Sequence, residues 1–86
     1  MGKVESFQIS GCRCWFFTGD HSPPHFHAAS SGEWELRVFF LLEPVTYEVK
    51  YETRKIPRSI LKALLNAAKS HREDLFREWE RNQSDD

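Results

Sequence analysis

The chain has 86 residues and a formal net charge of −1 at pH 7, from 12 Lys and Arg against 13 Asp and Glu. This balance excludes a strong overall field that would attract or repel nucleic acid. The length predicts a single domain over residues 1–86, large enough for a hydrophobic core but with little margin. We expect residues 7–81 to be ordered, and residues 1–5 and 82–86 to be frayed.

Three observations favour a cytoplasmic protein without a membrane partner. Cys12 and Cys14 are separated by one residue. Two cysteines so near each other on one strand rarely reach disulfide geometry. This spacing fits a reducing compartment. The first residues lack the apolar run of a signal peptide, and the longest apolar stretch, residues 38–42, is too short to span a bilayer.

The N-terminal part predicts a β-hairpin, with strands at residues 7–9 and 12–18 joined by the turn Ser10-Gly11. Gly19 ends the second strand. A loop that contains Pro23 and Pro24 follows, and an extended strand resumes at residues 26–28.

The next two strands alternate with a period of two, which is typical of an antiparallel sheet. The apolar positions of the first strand are Trp34, Leu36, Val38, Phe40 and Leu42, against Glu33, Glu35 and Arg37. After the turn Glu43-Pro44, the second strand places Val45, Tyr47, Val49 and Tyr51 against Thr46, Glu48 and Lys50.

The chain closes with a helical pattern that begins at Pro57, a residue suited to the first helical position, and continues to about Arg81. One apolar stripe contains Leu61, Leu64, Leu65, Ala68, Leu75, Phe76 and Trp79. The predicted fold class is therefore α+β: an antiparallel sheet of four to five strands packed on one long C-terminal helix.

One helix covers only one face of such a sheet, yet apolar residues are predicted on both faces. Phe39 and Leu41 point opposite to Val38 and Phe40. Large exposed apolar surfaces usually mark an interface, so we expect a homodimer or a small companion protein on the uncovered face. In the alternative, the sheet curls and hides these side chains itself.

The most informative segment is residues 20–27, which read Asp-His-Ser-Pro-Pro-His-Phe-His. The prolines stiffen the loop between His21 and His25, and His25 and His27 project to the same side of an extended segment. Imidazoles titrate near neutral pH and bind metals. We therefore predict a catalytic or metal-binding group of His21, His25 and His27 beside Asp20. In the alternative, the segment is only a stiff scaffold.

With Ala28 added, this segment resembles a small, mostly bacterial family, domain of unknown function 4160. Further matching pieces are Trp15-Phe16-Phe17, Pro57-Arg58, His71-Arg72-Glu73-Asp74-Leu75 and Trp79, so that the resemblance spans about residues 7–80. It implies a short α+β domain, often described beside a second small domain in a pairing proposed as a toxin–antitoxin system. The chain departs from the family at residues 43–53, which are longer and more strand-like.

No cofactor is required by the sequence, but a zinc ion or another divalent metal could bind in two ways. In one, Cys12 and Cys14 converge with His25 and His27 on adjoining strand faces. In the other, His21, His25 and His27 bind the metal, with Asp20 supporting them.

Histidine pairs also cleave phosphodiesters without a metal, and such a site needs cations for the phosphate. Arg54, Lys55 and Arg58 lie before and within the first helical turn, where helix N-termini also bind anions. In an alternative function, the protein is therefore a small RNA hydrolase, with RNA as its partner. In the competing interpretation this cationic run is a solvated surface.

Arg72 falls near the centre of the apolar stripe, and a buried guanidinium needs a partner. We expect it to reach Asp20 or another acid of the histidine loop, as a salt bridge or as a phosphate-binding group. The sequence contains no complete catalytic set, so whether the protein is an enzyme stays open. The preferred interpretation is a protein-interaction module with a histidine-rich surface site.

Overall fold

The computed structural model describes residues 2–83. It is an α+β fold, as predicted: one five-stranded antiparallel sheet with the strands in sequence order, followed by two helices. The elements are β1 (Gly2–Lys3), β2 (Arg13–Phe16), β3 (Phe26–Ser30), β4 (Trp34–Phe39), β5 (Thr46–Glu52), α1 (Arg58–Ser70) and α2 (Arg72–Gln83). Within the described part of the chain, neither helix is long and apolar enough to cross a membrane.

The core lies between one face of the sheet and the helices. The predicted alternation of β4 is confirmed, because Trp34, Leu36 and Val38 are buried, whereas Arg37 between them is exposed. The fully buried side chains that complete this layer include Phe16, Phe26, Phe40, Leu64, Ala68 and Leu75. Hydrophobic burial on this face supplies the main stabilisation of the fold.

The N-terminal hairpin exists, but its first strand was predicted in the wrong place. Gly2 and Lys3 pair with Phe16 and Trp15, and Val4 is buried in the core. The predicted strand at residues 7–9 is a loop, although Phe7 and Ile9 pack against the core. Residues 2–5 therefore carry structure where we expected fraying. Of the predicted frayed end, residues 82 and 83 continue α2, and residues 84–86 lie outside the described residues.

The prediction of one long helix is wrong, because the helical region is interrupted at His71. The backbone of His71 leaves the helical range, with φ −111° and ψ 25°, although its N–H still donates to the Ala67 carbonyl. At the break, Arg72 donates from Nε to the carbonyl of Phe40 at 2.9 Å. The next helix therefore begins with a side chain that binds the end of the sheet.

The sheet face opposite the helices is partly closed by its own side chains. Trp15, His27 and Ala29 on this face are buried, and Phe39 is half-buried. Leu41, in contrast, lies exposed in the turn before β5. The exposed apolar side chains are concentrated in this turn and in β5, all seven of whose residues are exposed.

Candidate functional site

Strand β3 positions the two histidines of the candidate site. His27 is the second residue of β3, opposite Trp15 of β2 and Arg37 of β4, and His25 immediately precedes the strand. Because Phe26 and Ala28 face the core, the alternation of the strand turns His27 to the face away from the helices. The two imidazole rings lie 5.0 Å apart between centroids, on the same side of the chain as the spacing predicted.

Asp20 joins these two rings through a single carboxylate oxygen. Its Oδ2 lies 2.9 Å from Nε2 of His27 and 3.5 Å from Nε2 of His25. The same oxygen accepts the backbone N–H of Phe17 at 3.3 Å, which fixes the carboxylate above the sheet. Each of the three residues offers one metal-ligating atom, and these atoms all lie within 4.8 Å of one another.

The second nitrogen of each ring reveals the tautomer. Nδ1 of His25 lies 2.9 Å from the carbonyl oxygen of Pro23, which can only accept, so Nδ1 carries the proton. In the neutral form of this ring, Nε2 is therefore the unprotonated nitrogen, and it faces Asp20 at 3.5 Å. His27 donates from Nε2 to Asp20, and its Nδ1 is buried without a hydrogen-bond partner among the described residues.

Aromatic side chains enclose the site. Trp15 stacks on His27 at 5.5 Å, Phe17 meets the same ring edge-on at 4.6 Å, and Phe39 packs against His25 at 5.4 Å. The side chains of His25, His27 and Asp20 are only 8%, 5% and 16% exposed. Burial lowers the pKa of His27 below 6.5, although the hydrogen bond to Asp20 opposes this shift. His27 is therefore held neutral near pH 7.

His21 does not join this group. Its side chain is exposed, and the metal-ligating cluster consists of Asp20, His25 and His27. We predicted three histidine ligands supported by Asp20. The structure instead brings together two histidines, with Asp20 itself as a possible third ligand. The sequence spacing could not show this, because the Pro-Pro loop turns His21 outward.

The predicted convergence of cysteines and histidines does not occur. Cys14 pairs with Ala28, whose side chain faces the core, and is therefore on the opposite sheet face from His27. Both cysteines are free and line a separate cavity of 510 Å³ with Phe7 and Ile9. The hydrogen bond between the two side chains lowers the pKa of Cys12 and, together with burial, raises that of Cys14. A zinc site that combines cysteines and histidines is thus excluded by the faces they occupy.

The predicted phosphate-binding cations lie away from the histidines. Arg54 is anchored near Glu33, with its Nε 3.9 Å from the carboxylate, and Lys55 and Arg58 are exposed just beyond it. His27 instead lies opposite Arg37, and His25 contacts Phe39. These positions are four and six residues from Glu33, or about 13 and 20 Å along the strand. These cations and the imidazoles therefore do not form one site.

Arg72 forms the expected salt bridge but with a different acid. Its Nη1 donates to Glu43, in the turn between β4 and β5, rather than to Asp20. Together with the bond to Phe40, this contact ties the start of α2 to the end of β4. The guanidinium, as hydrogen-bond donor and as nearby charge, lowers the pKa of Glu43. Arg72 is thus a structural link and not part of the histidine site.

Sequence reasoning missed Glu78, a buried carboxylate that holds the N-terminal segment. It accepts the backbone N–H groups of Glu5 at 2.7 Å and Ser6 at 3.0 Å, and also the Ser6 hydroxyl. Its position was a usable signal, since Glu78 follows Leu75 by three residues and so falls on the buried side of the helix.

A family model described as domain of unknown function (DUF4160) matches residues 11–80, which is most of the chain. The chain belongs to the DUF4160 family. The resemblance seen in the sequence is thereby confirmed, and the matched region contains Asp20, His25 and His27. Neither the comparison with curated proteins nor the comparison with solved structures gave a match.

Proposed function

We propose that this DUF4160 domain binds one divalent transition-metal ion through Asp20, His25 and His27. The observation that carries the proposal is the convergence of one carboxylate oxygen and two ring nitrogens within 4.8 Å of one another. Metal–ligand bonds of about 2.0–2.2 Å separate neighbouring ligand atoms by about 3.0–3.5 Å. Two of the three separations, those from Asp20 to each histidine, are 2.9 and 3.5 Å and are close to this range.

The surroundings of the three ligands support this proposal. The bond from His25 Nδ1 to the Pro23 carbonyl is the kind of contact that orients metal-binding imidazoles. The Phe17 N–H likewise fixes Asp20, and the aromatic rings restrict access of water. Two imidazoles and one carboxylate suit zinc, iron(II), cobalt and nickel. Zinc held by three protein ligands supplies an activated water for hydrolysis.

The tautomer of His27 opposes metal binding, and its energetic cost can be compared with the free energy of metal binding. To ligate through Nε2, His27 must carry its proton on Nδ1, which is buried without a partner. Leaving such a donor unsatisfied costs about 1–3 kcal/mol. Structural zinc sites contribute about 10–16 kcal/mol, so the cost lowers the affinity without abolishing it.

The proposal is tested by calorimetric titration of the purified protein with zinc and cobalt(II). Wild-type protein should bind one ion, and Asp20→Asn, His25→Gln and His27→Gln should each weaken binding at least about tenfold. His21→Gln is the matched control, because that histidine is nearby and exposed. Absence of binding, or an equal loss in the His21 variant, would contradict the proposal.

A second candidate function is a protein-interaction module that acts in a toxin–antitoxin-like pair. The companion protein follows from the resemblance to the family, and the observation that favours interaction is the fully exposed edge strand β5. A companion that binds there should protect the β5 amides from hydrogen exchange. Protection confined to other elements would contradict this second proposal. Hydrolysis of RNA has less support, because the predicted phosphate-binding cations lie far from the histidines.

A further inference from the structure

Strand β5 is an open edge of the sheet. It is the last strand in the order β1-β2-β3-β4-β5, and among residues 2–83 no strand pairs with its outer side. An unpaired edge presents a row of N–H and C=O groups that can extend the sheet with another chain. Tyr47 and Val49 are 38% and 45% exposed, so the edge also carries apolar surface.

We propose that two copies of this chain pair antiparallel through β5, with a twofold axis at Val49. The two five-stranded sheets then form one continuous ten-stranded sheet. The occupant is a second copy because the sequence of β5 is complementary to itself in this arrangement. The inference is independent of the metal proposal, which concerns a different surface, but it places a second copy on the edge where the second candidate function would place a companion protein.

The charges of β5 determine the register. Antiparallel pairing about Val49 places Glu48 opposite Lys50 of the second copy, and Lys50 opposite its Glu48. Within each chain, Glu48 already meets Arg37 at 3.4 Å, and Lys50 meets Glu35 at 3.5 Å. Across the dimer, Arg37 and Glu48 of one copy then lie in line with Lys50 and Glu35 of the other. The sign of the charge alternates along this line of four side chains.

The neighbouring registers fit the charges of β5 less well. An axis at Glu48 or at Lys50 places two identical charges directly opposite each other, which destabilises an antiparallel pair. An axis at Tyr47 places Glu48 opposite the uncharged Thr46. An axis at Tyr51 also places Lys50 opposite an acid, Glu52, but that carboxylate already accepts the Ile56 N–H. The same axis brings Glu48 opposite Arg54, which lies beyond the end of β5. The axis at Val49 pairs both charges within β5 and sets the exposed Val49 side chains against each other.

The pairing is short, which predicts a reversible dimer. Leu36 pairs with Val49 and Glu35 with Tyr51, so Lys50 is the extra residue of a β-bulge. This bulge lies beside the proposed axis and increases the twist of the strand, so the new ladder is limited to a few residues on either side of Val49. The dimer should therefore dissociate on dilution, and added salt should weaken it by screening the charge pairs.

The test uses two charge reversals that cannot pair with themselves but can pair with each other. Glu48→Lys leaves two lysines on the edge, and Lys50→Glu leaves two glutamates. Each variant alone should dimerise at least about tenfold more weakly than wild type, because both symmetric charge pairs become repulsive. An equimolar mixture should form the heterodimer with about the wild-type affinity. Sedimentation equilibrium measures all three samples.

Lys62→Glu is the control for net charge, because Lys62 is exposed on α1. It should dimerise like wild type. A wild-type protein that stays monomeric from about 1 μM to about 1 mM would overturn the proposal, as would a mixture no more associated than its components. The samples contain a chelator, so the failure of the metal proposal would leave the result unchanged.

Discussion

At the scale of single residues, Asp20 explains why the two imidazoles share one site. One oxygen of its carboxylate lies between Nε2 of His27 and Nε2 of His25. The spacing of His25 and His27 allowed their common side to be predicted, because alternation in a strand depends only on parity. The outward position of His21 could not be predicted, because it depends on the path of the proline loop.

The lowered pKa of His27 leads to a prediction for the metal-free protein. In the unfolded chain this histidine takes up a proton near its ordinary pKa of 6.5, and in the folded protein only at lower pH. Between these two pKa values the unfolded state binds more protons, so the free energy of unfolding falls as the pH decreases below 6.5.

Chemical denaturation at several pH values, with chelator present, measures this slope. The variant His27→Gln should show a smaller decrease of stability below pH 6.5 than wild type, and His21→Gln should retain the full decrease. A His27→Gln variant with the wild-type pH profile would show that His27 does not titrate as inferred.

Glu78 provides a second prediction at this scale. Substitution to Gln removes the charge from an acceptor of two backbone N–H groups and one hydroxyl, so the free energy of unfolding should fall by about 2 kcal/mol. Glu80→Gln on the exposed side of α2 is the control and should change stability by less than about 0.5 kcal/mol. Urea denaturation measures the stability of both variants. An equal loss of stability in Glu78→Gln and Glu80→Gln would contradict the role of Glu78 in holding the N-terminal segment.

At the scale of elements, the break between α1 and α2 shows the limit of periodicity. The buried positions Leu64, Ala68 and Leu75 keep one helical phase across His71, so the pattern predicts an uninterrupted helix. The break is stabilised by contacts from outside the helix, chiefly the bonds of Arg72 to Phe40 and Glu43. Such long-range contacts cannot be read from a local pattern.

Arg72 therefore has a testable structural role. Substitution by Gln should lower the free energy of unfolding by about 1–2 kcal/mol, because the bond to the Phe40 carbonyl is lost. Arg77 forms only exposed ion pairs with Glu73 and Asp74, so Arg77→Gln should cost less than about 0.5 kcal/mol. Thermal unfolding monitored by circular dichroism compares them, and a neutral Arg72→Gln would contradict the role of this contact.

Strand β1 illustrates a different limit. Phe7 and Ile9 alternate as in a strand, and they do pack against the core, but from a loop. The actual strand has only two residues, Gly2 and Lys3, too few for a detectable pattern. The strong alternation of β4, in contrast, made the burial of Trp34, Leu36 and Val38 predictable, although Leu42, expected on the same face, lies exposed after the strand has ended.

At the scale of the whole molecule, metal binding and folding are linked. A metal that binds only the folded protein stabilises it by about 2.7 kcal/mol at a free concentration of 100 times Kd. Zinc should therefore raise the Tm of wild type and of His21→Gln by the same amount and that of Asp20→Asn by clearly less. An equal rise in all three proteins would indicate binding elsewhere.

The most direct test of the metal centre is a long-range ¹H–¹⁵N NMR spectrum of the histidine rings, recorded with and without one equivalent of zinc. Zinc bound at this site should shift the Nε2 signals of His25 and His27 together and leave those of His21 and His71 in place. Unchanged signals of His25 and His27, or equal shifts of all four rings, would contradict the proposed metal centre.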